Sequence, residues 1–434
     1  MRFRDLLLAA TIVYLPYEQH YPLVLPIKGL NAVNVILIVL ALAVALRKHD
    51  RVAAPAPLRG RFLLFFLALA LSFTIGQVYD NTHFADDATY LKNSIFYMLF
   101  FFLFYHAASD ERSMRAMWGA LMLTILLVSV QGVRQALDYG IATFNPSRRV
   151  TGPFGQGSVF GANMAAGFFI IMLPAALMVV LAGRSRPWLR LTGFACVLLG
   201  VFATFFTYSR QAYFVLAALF VIAGIRRSLA FAIVAAVLAA SYELWVPDSV
   251  IQRVDSTEQV TASGDATLDA STESRFLIWQ GALKLFSERP WGIGLDQFRR
   301  NIGAYVPDYS GFDAHNGFIL VLTECGVPGL LALLWLLLGL WQLARKIEKL
   351  PDATSRLYGN AFSMAVLGVA CSNLFGSRIF NGEVMADFWV MAGLAARHYV
   401  EATRERAAPQ EATPPAAVAD ATTARALMRP VTGR

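Results

Sequence analysis

Charge is scarce in this chain. Asp, Glu, Lys and Arg make up 15% of its 434 residues, against about 25% in ordinary soluble domains. With 57% hydrophobic residues and a mean hydropathy of +0.53, that shortage excludes a conventional soluble domain. Cysteine is nearly absent too. Cys196, Cys325 and Cys371 lie far apart in apolar segments, so they form neither a metal-ligand spacing nor a disulfide framework and read as small core residues. There is no phosphate-binding P-loop, no HExxH, no GxSxG and no internal repeat, so the chemistries and repeat architectures those patterns carry are not indicated.

What the chain has is apolar runs. Twelve candidate membrane spans fall near residues 5–20, 29–46, 62–79, 89–106, 116–137, 158–182, 188–207, 211–225, 228–246, 316–343, 357–376 and 384–400. The expected fold class is therefore an all-α polytopic membrane protein of about twelve transmembrane helices with a large, partly helical loop. The expected organisation is nine helices with short loops over 1–246, a loop over 247–315 with an amphipathic helix near 272–289, three helices over 316–400 and a disordered tail over 401–434. The basic N-terminus precedes an apolar run without a small-residue cleavage site, and reads as a first span rather than a removable signal.

The net charge of +8 follows the membrane rather than nucleic acid. With the N-terminus inside, 24 of the 37 basic residues fall in inner segments, as the positive-inside bias requires. Both termini are then cytoplasmic, and the long loop lies outside. The outer cations are the exceptions, among them Lys28, Lys92, Arg134, Arg148, Arg149, Arg210 and Arg378. Arg210 sits in Thr207-Tyr208-Ser209-Arg210-Gln211, a tight turn between two apolar runs, and charge held near membrane depth tends to mark function.

The only long polar region runs from Ser271 to Gly329. Ser271 and Thr272 suit an N-cap, Glu273 suits a first turn, and Trp279, Leu283 and Phe286 follow at helical spacing. Arg275, four residues before Trp279, lines up with that stripe and so faces a groove or membrane surface. Pro290 stops the helix, and Gly292 and Gly294 make turns. Then comes His315-Asn316, and an apolar run at once. Histidine is the usual general base near neutral pH; arginines, here Arg275, Arg299 and Arg300, suit phosphate oxygens. Together they suit a lipid-linked phosphate substrate.

Two other features have competing readings. Gly152–Ala165 (GPFGQGSVFGANMA) reads either as tight helix packing by small residues or as a helix N-terminus open to an anion, with Gln156 and Asn163 as polar wall. Asp308, Asp313 and His315 could ligate a metal, but their spacing is irregular. Asp86-Asp87 reads as a solvated loop, and 255–270 as disordered.

His315-Asn316, nine residues, then Gly326-Val327-Pro328-Gly329 resembles the HN-x9-GxxG signature of the O-antigen ligase superfamily. Tyr208-Ser209-Arg210, Glu273-Ser274-Arg275, Pro290-Trp291-Gly292-Ile293-Gly294 and the glycine-rich segment resemble it in the same order, over about residues 140–376. The resemblance implies a C-type glycosyltransferase architecture in a Gram-negative inner membrane, with its active site on the periplasmic face. It implies undecaprenyl-diphosphate-linked O-antigen as donor, lipid A-core oligosaccharide as acceptor, and neither metal nor nucleotide cofactor. It makes His315, Arg275 and Arg210 the catalytic residues. Around them, Arg148 or Arg149, Gln156, Asn163, Arg299, Arg300 and Asn316 would bind substrate. An O-antigen polymerase, a protein O-oligosaccharyltransferase and a lipid-linked glycan transporter stay open as alternatives. A transporter should show repeats and buried charge on both sides of the midplane.

Overall fold

In the computed structural model the chain is described over residues 3–21, 32–45, 54–108, 110–155, 159–182, 187–256, 258–260, 266–268 and 270–407. In chain order the elements are α1 (Phe3–Tyr14), α2 (Ala32–Ala45), α3 (Arg59–Tyr79), α4 (Phe84–Phe96), α5 (Leu99–Ala107), α6 (Glu111–Tyr139), α7 (Val159–Val180), α8 (Pro187–Phe206), α9 (Arg210–Arg227), α10 (Leu229–Ala240) and α11 (Asp248–Asp255). A short hairpin of β1 (Glu258–Val260) and β2 (Ala266–Leu268) follows. Then come α12 (Ala270–Glu288), α13 (Phe298–Asn301), α14 (Gly317–Glu348), α15 (Ala353–Leu374) and α16 (Gly382–Ala407).

Helix occupies each of the twelve apolar stretches. A helix closes its own backbone hydrogen bonds, which lipid cannot do for it. Among the described residues six helices are long and apolar enough to cross a membrane: α3, α6, α7, α8, α14 and α15. The stretch 89–106 is not one helix but two, α4 and α5, broken at Tyr97-Met98.

α7 is the centre of the bundle. Its apolar window is 89% buried, and it packs against α15, α8 and α9. Small residues permit the approach: a Cβ on Gly368 of α15 would stand 2.6 Å from the Ile170 carbonyl. Without a hydrophobic drive between helices in lipid, such close packing holds them together. α14 packs between α3 and α15, and α16 against α5.

Three expectations are corrected here. Residues 255–270 are not wholly irregular: β1 pairs antiparallel with β2, Glu258 opposite Leu268 and Val260 opposite Ala266; residues 257, 261–265 and 269 lie outside the described residues. Asp86 and Asp87 form the first turn of α4, where carboxylates suit the positive helix end. Asp87 is fully buried, because three partners described below hold it. The tail expected from 401 begins as helix, since α16 runs to Ala407; residues 408–434 lie outside the described residues.

Candidate active site

The site forms where the polar segment meets a break in α14. Gly326 there has φ +67 and ψ −173, and Pro328 follows inside the helix. Proline has no N–H for the carbonyl four residues back, so the Glu324 carbonyl loses its helical partner. The kink likewise displaces the N–H due to Thr323. The chain after Pro290 fills the gap: Ile293 N–H donates to the Thr323 carbonyl at 3.0 Å and Gly294 N–H to the Glu324 carbonyl at 3.1 Å. Ser72 of α3 adds a hydroxyl donor to the same Glu324 carbonyl at 2.8 Å. Gly292, at φ +101, lies so close to that carbonyl that a Cβ would collide with it. The two glycine motifs are therefore two halves of one backbone joint.

That joint seats α12. Ile278, Ala282 and Leu285 are its buried face, in one small core with Ile293, Phe298, Ile302 and Ala314. The expected stripe of Trp279, Leu283 and Phe286 is shifted: Leu283 is 51% exposed, because the docking face centres one residue earlier. Arg275 falls three and four residues before Ile278 and Trp279, at the head of the docked face. Trp279 Nε1 donates to the Ala314 carbonyl at 2.8 Å, which ties α12 to the residue beside His315.

His315 has φ +49, in the left-handed region that costs a non-glycine residue about 1–3 kcal/mol. Its N–H donates to Asp313 Oδ2 at 3.2 Å, and its Nδ1 lies 3.9 Å from the same oxygen. Burial depresses its pKa below the ordinary histidine value. Asp313 opposes that, and the charges of Arg275, Arg378 and Arg299 reinforce it. The imidazole is thus held neutral near physiological pH, with its side chain 31% exposed.

The arginines gather around the turn that ends α8. Arg149 Nε donates to the Thr207 carbonyl at 2.7 Å and Arg253 Nε to the Tyr208 carbonyl at 3.4 Å. Carbonyls at a helix C-terminus carry partial negative charge, so cations suit them. Arg149 also donates from Nη2 to Asn163 Oδ1 at 3.0 Å. Burial brings its pKa down to about 10, with Arg253, Arg210 and Arg275 adding to the depression. Arg210 opens α9, where the helix dipole disfavours a cation, and its Nη2 reaches Thr272 Oγ1 at 3.4 Å. Arg378, between α15 and α16, is 4% exposed. Its Nη1 donates to Asn381, its buried Nε has no hydrogen-bond partner among the described residues, and burial, reinforced by Arg275 and opposed by Asp313, lowers it to about 10. Arg275 acts on His315, Arg149 and Arg378 alike, and so joins the two halves of the cluster.

The other expected residues separate. Arg148 is exposed while Arg149 is buried, so the pair divides. Arg300 Nη1 forms an ion pair with Asp87 Oδ1 at 2.7 Å, and Gln77 and Gln297 donate to the other oxygen at 2.7 and 3.0 Å; this arginine is a strut. Arg299 Nη2 lies 3.9 Å from Asp313 Oδ1. Asn316 caps α14, accepting from Phe318 and Ile319 N–H and donating to the Leu374 carbonyl. Gln156 lies outside the described residues. Asp308, Asp313 and His315 do not converge: among the described residues no three His, Cys, Asp or Glu side chains gather as metal ligands.

Arg253 and Arg378 are site residues that sequence reasoning did not bring in. Arg378 had a readable signal, since it lies like Arg210 in a short connection between apolar runs. Arg253 had none, because only the fold brings α11 to the end of α8.

The structure is thus a bundle of membrane-length helices, with a polar segment docked in a broken helix and several arginines acting on one histidine. Residues 194–334, about a third of the chain, match the family described as O-antigen ligase. The match spans Arg210, Arg253, Arg275 and His315; Arg149 and Arg378 lie outside it. Among curated proteins no significant match was found.

Proposed function

We propose that the protein is an O-antigen ligase of a Gram-negative inner membrane. It spans the membrane about twelve times in a C-type glycosyltransferase architecture, with both termini cytoplasmic and the His315 end periplasmic. It transfers O-antigen polysaccharide from undecaprenyl diphosphate to an outer-core sugar of lipid A-core. The acceptor hydroxyl oxygen attacks the anomeric carbon, and the bond from that carbon to the diphosphate oxygen breaks. His315 takes the hydroxyl proton, worth roughly 10²–10⁴ in rate. Arg275, Arg210, Arg149 and Arg378 stabilise the departing diphosphate, at about 3 kcal/mol for each well-aimed donor. One direct displacement inverts the anomeric centre. Positive charge comes from the chain itself, so the reaction needs neither metal nor ATP.

The observation that carries this reading is Arg275, the shared neighbour of His315 and the buried arginines. It sets base and anion site side by side, as transfer from a diphosphate requires. Purified protein with defined donor and lipid A-core should form product in excess EDTA without ATP. Loss on chelation, restored by a divalent ion, would sink the arginine-only account. Deleting the gene in its host should leave core-only lipopolysaccharide with lipid-linked polymer accumulating. Core bearing one repeat unit would instead make the protein the superfamily's polymerase, and a glycoprotein defect its protein O-oligosaccharyltransferase.

A further inference from the structure

The segment 313–315 is pinned at every residue. Asp313 Oδ1 faces Arg299 Nη2 at 3.9 Å. The Ala314 carbonyl accepts from Trp279 Nε1 at 2.8 Å. His315 N–H donates to Asp313 Oδ2 at 3.2 Å, and that same oxygen lies 3.9 Å from Nδ1. One carboxylate oxygen thus both supports the strained His315 backbone, at φ +49, and faces the inner ring nitrogen. Its other oxygen is held on the far side by a guanidinium.

We propose that Asp313 is the positioning residue of His315: it holds the proton on Nδ1, leaves Nε2 free to act as base, and stabilises the imidazolium formed when the acceptor proton is taken. This rests on the reading of His315 as base. The logic is that of any base oriented by a neighbouring carboxylate. It has special force here, because among the described residues the other charged groups acting on this imidazole are cations. Arg275 comes from α12, Arg378 from the connection between α15 and α16, and Arg299 from α13. Each opposes protonation. Asp313 is the acid that favours it; without it, a base strong enough to take a hydroxyl proton would not survive among three guanidinium groups.

Charge and geometry separate in one substitution. Asp313→Asn keeps a side-chain oxygen that can accept the His315 N–H, since asparagine makes the same local turn as aspartate, but removes the charge. In full-length protein with ¹³C-labelled histidine, the His315 resonance is the one missing from His315→Ala. In Asp313→Asn its pKa should fall by about one unit, the shift typical of losing an opposite charge at this range. The acid limb of the rate profile should move down by the same amount. Turnover at neutral pH should drop on the order of tenfold as the base weakens, with the donor KM unchanged, and Asp313→Glu should recover part of the loss. A folded Asp313→Asn whose His315 pKa and acid limb stay in place overturns the assignment of Asp313. His315→Ala retaining full turnover overturns the base reading itself, and the role of Asp313 with it.

Discussion

The two ends of the helical bundle carry the same residue types and treat them in opposite ways. At the end away from the polar loop, arginines meet acids. Arg226 Nη2 sits 2.8 Å from Glu348 Oε1, Arg345 reaches the same carboxylate, and Arg397 pairs with Glu401 at 2.7 Å. A histidine of that end, His398, is joined through Nε2 to Ser355 Oγ at 2.6 Å. At the loop end Arg149 donates to a carbonyl and an amide and Arg378 to an amide, and burial together with the charge of Arg275 depresses each of them. A buried charge without full compensation is costly, so the surrounding fold must hold it there, which is the usual mark of a site awaiting a ligand. Arg300 is the internal control. It lies at the loop end but is paired with the buried Asp87, and its role is to brace α13 against α4.

The largest test of this contrast sets one histidine against the other. His315→Ala should lower single-turnover rate by roughly 10²–10⁴ and leave donor affinity nearly intact, because a neutral imidazole adds little to holding a diphosphate. His398→Ala should leave the rate per folded molecule close to wild type. Comparable losses in both would erase the distinction between the ends.

Next comes Arg275→Ala, expected to cost on the order of 10²-fold in turnover and to weaken donor binding as well, since its charge acts in ground and transition states alike. Arg275→Lys should restore part, keeping charge but losing the forked geometry. Donor titrations beside single-turnover rates separate the two; unchanged donor affinity in Arg275→Ala would remove it from the anion site.

At the opposite end Glu348→Ala should act on stability alone. It strands Arg226 and Arg345, at a cost of about 2–3 kcal/mol for this half-buried pair, read as an earlier thermal transition with normal turnover per folded molecule. Lost turnover at full stability would mean that this end, too, takes part in the reaction.

The smallest effect sharpens the comparison most. Arg378→Met removes a buried cation whose Nε has no hydrogen-bond partner among the described residues. Its melting temperature should hold or rise, since replacing a buried, incompletely compensated charge by an apolar chain is often neutral to stabilising. Donor affinity should fall about tenfold, the size of one lost charge-assisted contact. A fall in stability as large as that of Glu348→Ala would show Arg378 to be a structural residue.

Much of this was legible in one dimension. The helices occupy the apolar stretches because in lipid each helix must satisfy its own backbone, a local demand that hydropathy reports directly. His315, Arg275 and Arg210 were readable because motif spacing and an out-of-place cation are properties of short segments. The same reasoning misplaced Asp87, and for a physical reason: its burial is stabilised by Gln297 and Arg300, more than 200 residues away. No window around Asp87 contains them.

The division is between demands met within a segment and demands met across the chain. Sequence alone determined a membrane protein of many helices and a polar segment set among them, and it singled out a histidine and two arginines as the candidate site. Tertiary structure alone decided that the Gly292–Gly294 segment closes the break at Gly326, that Arg149 rather than Arg148 turns inward, that Arg253 and Arg378 join the cluster, and that Asp313 faces the imidazole. Each of those outcomes depends on which carbonyl or charge is left unsatisfied after the helices have packed, and that is known only once they have.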